Sequence, residues 1–171
     1  RRVLFRSFDS TRLVVGNDGW EMTETDLCAI HNYDHGEKND EKAHAKFRES
    51  LSCREELLYT YTAGRKIFVD GWKDRGQPVL LTEFGGISIA EQDDKAWGYT
   101  CIRDGAELEK EYERILDAIC ASDSIAGFCY TQLADVEQET NGLLTCDRVP
   151  KIRTEIIRKI NDRVNKKRIR I

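Results

Sequence analysis

Val79-Leu80-Leu81-Thr82-Glu83-Phe84-Gly85-Gly86 is the stretch that decides the fold. Its first four residues are apolar or β-branched with no in/out alternation, which suits a parallel strand covered on both faces. The run stops on an ionisable residue, and two glycines then permit a close approach of backbone or ligand. Three other runs end the same way. Leu13-Val14-Val15-Gly16 leads to Asn17-Asp18, Leu27-Cys28-Ala29-Ile30 leads to His31-Asn32-Tyr33, and Ile125 to Tyr130 leads to Thr131-Gln132.

Helical periodicity fills the gaps. Phe47, Leu51, Leu58 and Tyr61 share one side of a segment from about Lys42 to Tyr61. From Asp104 to Ser122 a single stripe forms from Leu108, Tyr112, Ile115, Leu116, Ile119 and Cys120. A last helix from Lys151 carries Ile152, Ile156, Ile157, Ile160 and Val164 after the Val149-Pro150 boundary. The connection from Asp18 to Asp26 is too short for a full helix. The order β, β, α, β, α, β, α implies crossovers and a parallel sheet. An open doubly wound sheet would give the same order. The absence of a glycine-rich phosphate turn, and polar residues after every strand, favour a barrel with its site at the strand ends. The expected fold class is α/β, a partial (β/α)8 TIM barrel.

The chain has 171 residues, 40% hydrophobic and 34% charged, a balance that excludes intrinsic disorder. A net charge of −4 argues for no nucleic-acid and no membrane partner. Six dispersed cysteines without a CxxC pair argue against a zinc site or a disulfide scaffold. Reduced, mostly buried thiols are expected, with a lean toward the cytoplasm. No metal set and no cofactor motif are evident. Met22 is the only methionine, and Arg1 to Ser7 reads like an in-frame translation of a sequencing-library adapter. Residues 1–7 are therefore expected to be a non-native leader, with 8–171 forming the C-terminal half of a barrel domain truncated upstream.

Glu83 admits two readings. A carboxylate on a rigid strand end suits nucleophilic attack on an anomeric carbon; it equally suits an ion pair at a barrel rim. Tyr33 could hydrogen-bond such a nucleophile and help keep it ionised. His31 or Asn32 could read sugar hydroxyls, and His31 could equally be a structural histidine. Trp20 and Trp97 could stack on a sugar ring or simply pack their loops. Gln132 and Asp135 could recognise hydroxyls, or belong to a solvated turn. His35 and His44 carry no such context.

Several of these stretches resemble glycoside hydrolase family 2, which includes β-galactosidases, β-glucuronidases and β-mannosidases. They are Gly16-Asn17-Asp18-Gly19-Trp20-Glu21, Asp26 to Tyr33, Val79 to Gly86, Trp97-Gly98-Tyr99 and Gly127 to Leu143. The resemblance implies barrel strands five to eight, Glu83 as nucleophile after strand seven, and Tyr33 as its partner after strand six. It implies a carbohydrate substrate lined by Asn17, Trp20, His31, Asn32, Trp97, Gln132 and Asp135. The family's acid/base glutamate follows an asparagine, and no Asn-Glu pair occurs in this chain. Tyr130-Thr131-Gln132 stands where many members carry a tryptophan. In these stretches the asparagine-lysine pair with which β-glucuronidases read a carboxylate is not seen, so glucuronide specificity is not supported. A retaining β-glycosidase fragment, β-galactosidase-like, is the expected function. The rival reading is a catalytically silent barrel that binds carbohydrate or scaffolds a complex.

Overall fold

The computed structural model describes residues 2–89 and 99–168. A three-stranded parallel sheet is its centre, built from β1 (Cys28–His31), β2 (Val79–Glu83) and β5 (Ile125–Phe128) in the order β1-β2-β5. Between β2 and β5 lies a second, two-stranded parallel pair, β3 (Ile87–Ile89) with β4 (Thr100–Ile102). The fold is thus mixed α/β with parallel strands in two small sheets.

Helices supply the crossovers. A short α1 (Arg2–Phe8) precedes the sheet. The segment after β1 holds two helices, α2 (Glu41–Ser50) and α3 (Arg54–Tyr59), where periodicity suggested one. The break falls where Cys53 adopts an extended backbone and Arg54 is drawn to Asp74, its Nε–Oδ2 distance being 2.6 Å. Serine and cysteine are weak helix formers, so little opposes that pull. Helix α4 (Gly105–Ala121) follows β4, and α5 (Thr154–Arg168) closes the described chain. The expected stripe of α4 faces inward: Leu108, Tyr112, Ile115, Leu116 and Ile119 are all buried. Each such side chain contributes roughly 1.5–3 kcal/mol of transfer free energy.

The expected first strand does not form. Leu13 and Val15 are 66% and 42% exposed. Val14 donates its backbone N–H to the Asp26 carboxylate at 2.7 Å, and Asp26 N–H returns a bond to Val14 O at 3.0 Å. A side chain therefore satisfies the donor that a ladder would have used. The segment meets β1 through Gly19 N–H to Ala29 O at 3.1 Å.

The cysteines also depart from expectation. Cys28 is buried and Cys120 half-buried, while Cys53, Cys101, Cys129 and Cys146 are exposed. These four sit in loops, just past a strand end, or at the exposed middle position of the short strand β4.

Candidate active site at the end of the parallel sheet

A register irregularity builds the site. Cys28, Ala29 and Ile30 of β1 pair in sequence with Val79, Leu80 and Leu81 of β2, but His31 pairs with Glu83. Thr82 is the extra residue, and a bulge of this kind re-aims the side chains that follow it. His31 and Glu83 consequently stand side by side at the C-terminal end of the sheet.

Glu83 is half-exposed, and its Oε2 takes two contacts. The Tyr33 hydroxyl donates to it at 2.9 Å, and His31 Nδ1 lies 3.2 Å away. Burial pushes the Tyr33 phenol well above its ordinary value; a hydrogen bond with Thr131 opposes this and Glu83 reinforces it. At neutral pH the phenol keeps its proton and remains a donor. Its ring stacks on Tyr99 at 3.9 Å between centroids, 15° from parallel. Asn32 is buried: its N–H donates to Glu83 O at 3.0 Å, and its Oδ1 accepts from Asp34 N–H at 3.0 Å.

On its other side His31 meets Asp18, with Nε2 3.2 Å from Oδ1. That contact is close without being aligned as a hydrogen bond. Asp18 Oδ1 accepts from the Thr82 hydroxyl at 2.6 Å. Trp20 packs edge-on against the His31 ring at 5.2 Å, and the Arg65 guanidinium lies 5.3 Å from the indole centroid, a cation–π contact. Asn17 is exposed and donates its amide to Trp20 O at 2.7 Å, holding the turn that presents the indole.

Gln132 and Asp135 form a second group. Gln132 Nε2 donates to Asn141 Oδ1 at 2.8 Å and to Glu139 at 3.2 Å. Asp135 Oδ1 accepts from Gly142 N–H at 2.8 Å and pairs with Lys151 at 2.6 Å, both side chains well buried. Their polar contacts brace the loop after β5 and do not run to Glu83. Trp97 lies outside the described residues.

The loop after β2 is locked from both sides. Gly85 has φ +100°, and a Cβ there would meet the Tyr130 ring at 2.2 Å. Gly86 N–H donates to Thr131 O at 2.8 Å, and Thr131 N–H donates to Phe84 O at 2.9 Å. His35, to which no role was assigned from sequence, is fully buried. Its Nε2 lies 2.8 Å from Gly85 O and its Nδ1 3.1 Å from Gly36 O. Sequence reasoning also missed Asp18, Tyr99 and Tyr130 as parts of this neighbourhood. All three flank residues that were singled out, and the available signal was their place within the same motifs.

No protein-family model and no curated protein matches the chain. Among solved structures it is similar to a β-D-glucuronidase from Dictyoglomus thermophilum, with 19% identity and TM-score 0.54 over 97% of this chain and 28% of that one. A β-glucuronidase from an uncultured Clostridium sp. gives 20% and 0.54 over 94% and 27%. A GH2 β-galacturonidase from Eisenbergiella tayi gives 14% and 0.53 over 96% and 28%. At these identities the likeness shows the fold alone, a mixed α/β arrangement of parallel strands that matches one part of each of those chains. The chain spans no more than 28% of the length of any of these three.

Proposed function

We propose that this chain is the C-terminal half of the catalytic barrel of a retaining β-glycosidase, with its three sheet strands as strands six to eight. The same reading takes residues 1–7 as a leader foreign to the native protein. Glu83 is the nucleophile and Tyr33 the hydrogen-bond donor that holds it. The observation that carries this reading is the 2.9 Å bond from Tyr33 to Glu83 at the C-terminal end of a parallel sheet, where barrel enzymes place their chemistry. A rim ion pair would instead bring Glu83 an arginine or lysine; among the described residues a phenol and an imidazole stand against its carboxylate.

In the complete enzyme a Glu83 oxygen forms a bond to the anomeric carbon. The bond from that carbon to the leaving oxygen breaks, and a carboxylic acid supplied from outside this sequence gives that oxygen its proton. The same group, now a carboxylate, takes a proton from water, which attacks the anomeric carbon and frees Glu83. Retention places the two carboxyls about 5–5.5 Å apart. This chain, lacking the acid, is inactive alone.

We take the sugar to be β-galactoside-like, because no asparagine-lysine pair of the kind that reads a glucuronide carboxylate lies in the stretches that carry the family resemblance. The test uses the completed reading frame and a panel of aryl β-glycosides. Galactoside turnover with Glu83→Gln inactive is the expected result. Near-wild-type turnover by Glu83→Gln would sink the nucleophile assignment, and hydrolysis of the glucuronide in preference would sink the choice of sugar. A complete wild type that binds glycosides without cleaving them would favour the silent-barrel alternative.

A further inference from the structure

The His31 imidazole sits between two carboxylates, 3.2 Å from Asp18 Oδ1 on one side and 3.2 Å from Glu83 Oε2 on the other. Its seat is built for it. Gly19, at φ +89°, lies so close that a Cβ there would meet the ring at 2.8 Å. Trp20 closes the ring edge-on, and the His31 side chain is 12% exposed. Asp18 is anchored in turn by the Thr82 hydroxyl, and Thr82 is the residue that the bulge displaces from the β1–β2 register.

We propose that Asp18 is a positioning residue for Glu83, acting through His31. Asp18, in contact with Nε2, biases the rotation of the imidazole, so that Nδ1 and the Tyr33 hydroxyl converge on Oε2. A half-exposed glutamate has a broad terminal torsion. The Tyr33 hydrogen bond and the adjacent imidazole, both against one oxygen, restrict that torsion, as a preorganised nucleophile requires. The value of this arrangement to catalysis rests on the glycosidase reading; the coupling of Asp18 to the Glu83 carboxylate does not.

The coupling is read by NMR on this chain, labelled at histidine and glutamate. In Asp18→Asn, which keeps an acceptor for Thr82, the His31 ring nitrogens and the Glu83 carboxyl carbon are expected to shift together. The His35 and His44 ring signals should stay in place. In a His31→Gln background the same Asp18→Asn change should leave the Glu83 carbon unmoved, because the connection has been removed. An unmoved Glu83 carbon in the single variant, or an undiminished shift in the double variant, would overturn the proposal. If Asp18→Asn loses its dispersed spectrum, Asp18→Glu, which moves the charge by one methylene, is read in the same way. None of these signals depends on turnover. An intact coupling with no glycoside cleavage by the completed protein would refute the enzyme reading alone, and cleavage without coupling would refute the positioning alone.

Discussion

At Gly85 the backbone and a neighbouring ring agree on the residue. Its φ of +100° is one that side-chain-bearing residues rarely adopt, and the Tyr130 ring occupies the place of a Cβ. Gly85→Ala is expected to lower stability by on the order of 2–4 kcal/mol, from backbone strain and overpacking together. The urea unfolding midpoint measures it, and an unchanged midpoint would show that the loop yields. His35, bonded to the carbonyl of the same glycine, makes a second expectation. Burial holds its pKa below the ordinary 6.5. The full contribution to stability is present above that value, where His35 is neutral in both states. As pH falls below 6.5 the unfolded chain takes up a proton that the folded site resists, so stability declines toward the folded pKa. His44 is shifted in the same direction, by burial first and then by Arg114 and Arg48. The unfolding midpoint should therefore be lower at about pH 5.5 than at about pH 7.5, and His35→Gln should shrink the difference. An equal difference in the variant would clear His35 of the effect.

At the scale of the element, α4 shows how local and tertiary forces combine. Asp104 caps it by accepting from Glu107 N–H at 2.9 Å, and Glu107 accepts in return from Arg103 N–H at 3.0 Å. Hydrogen bonds from the side chains of Arg103 and Lys38 hold the Glu107 carboxyl down to about 2. The Glu107 side chain is itself only 12% exposed, but Arg103 is 81% exposed and screened by solvent, so that ion pair adds little; the cap and the buried stripe carry the helix. Asp104→Ala should cost about 1 kcal/mol, with denaturant unfolding as the measure. A loss well below half of that would mean that packing alone orders the first turn. The extent of α4 was legible from its apolar stripe, read from Asp104 to Ser122. The division of α2 from α3 was not, because it depends on Arg54 reaching Asp74, twenty positions away.

For the whole molecule, the telling fact is the sheet order β1-β2-β5, which leaves β5 as an edge. Ala126 on that strand is exposed, and beyond it Leu133, Val136 and Val149 are 68%, 56% and 56% exposed. A strand edge left unpaired among the described residues, followed by exposed apolar side chains, invites pairing with another chain. Concentration-dependent association is expected in sedimentation. Ala126→Lys, a charge on the edge, should shift the distribution toward monomer. An unaltered distribution would place the contact elsewhere.

The chain's own residues determined the class of architecture and the residue at its centre. Apolar runs without alternation, each ending on polar groups, mark parallel strands, and a strand ending on Glu83 marks where chemistry can sit. The runs at Cys28, Val79 and Ile125 became strands for that reason. The run at Leu13 had the same composition and did not, since the Asp26 carboxylate took the donor that a ladder needed. Pairing His31 with Glu83 likewise lay beyond any one-dimensional pattern, because it depends on Thr82 leaving the β1–β2 register to bond Asp18. A strand's periodicity says which way its side chains alternate; which residue stands beside which is set by hydrogen bonds between distant segments, and these exist only in the folded chain.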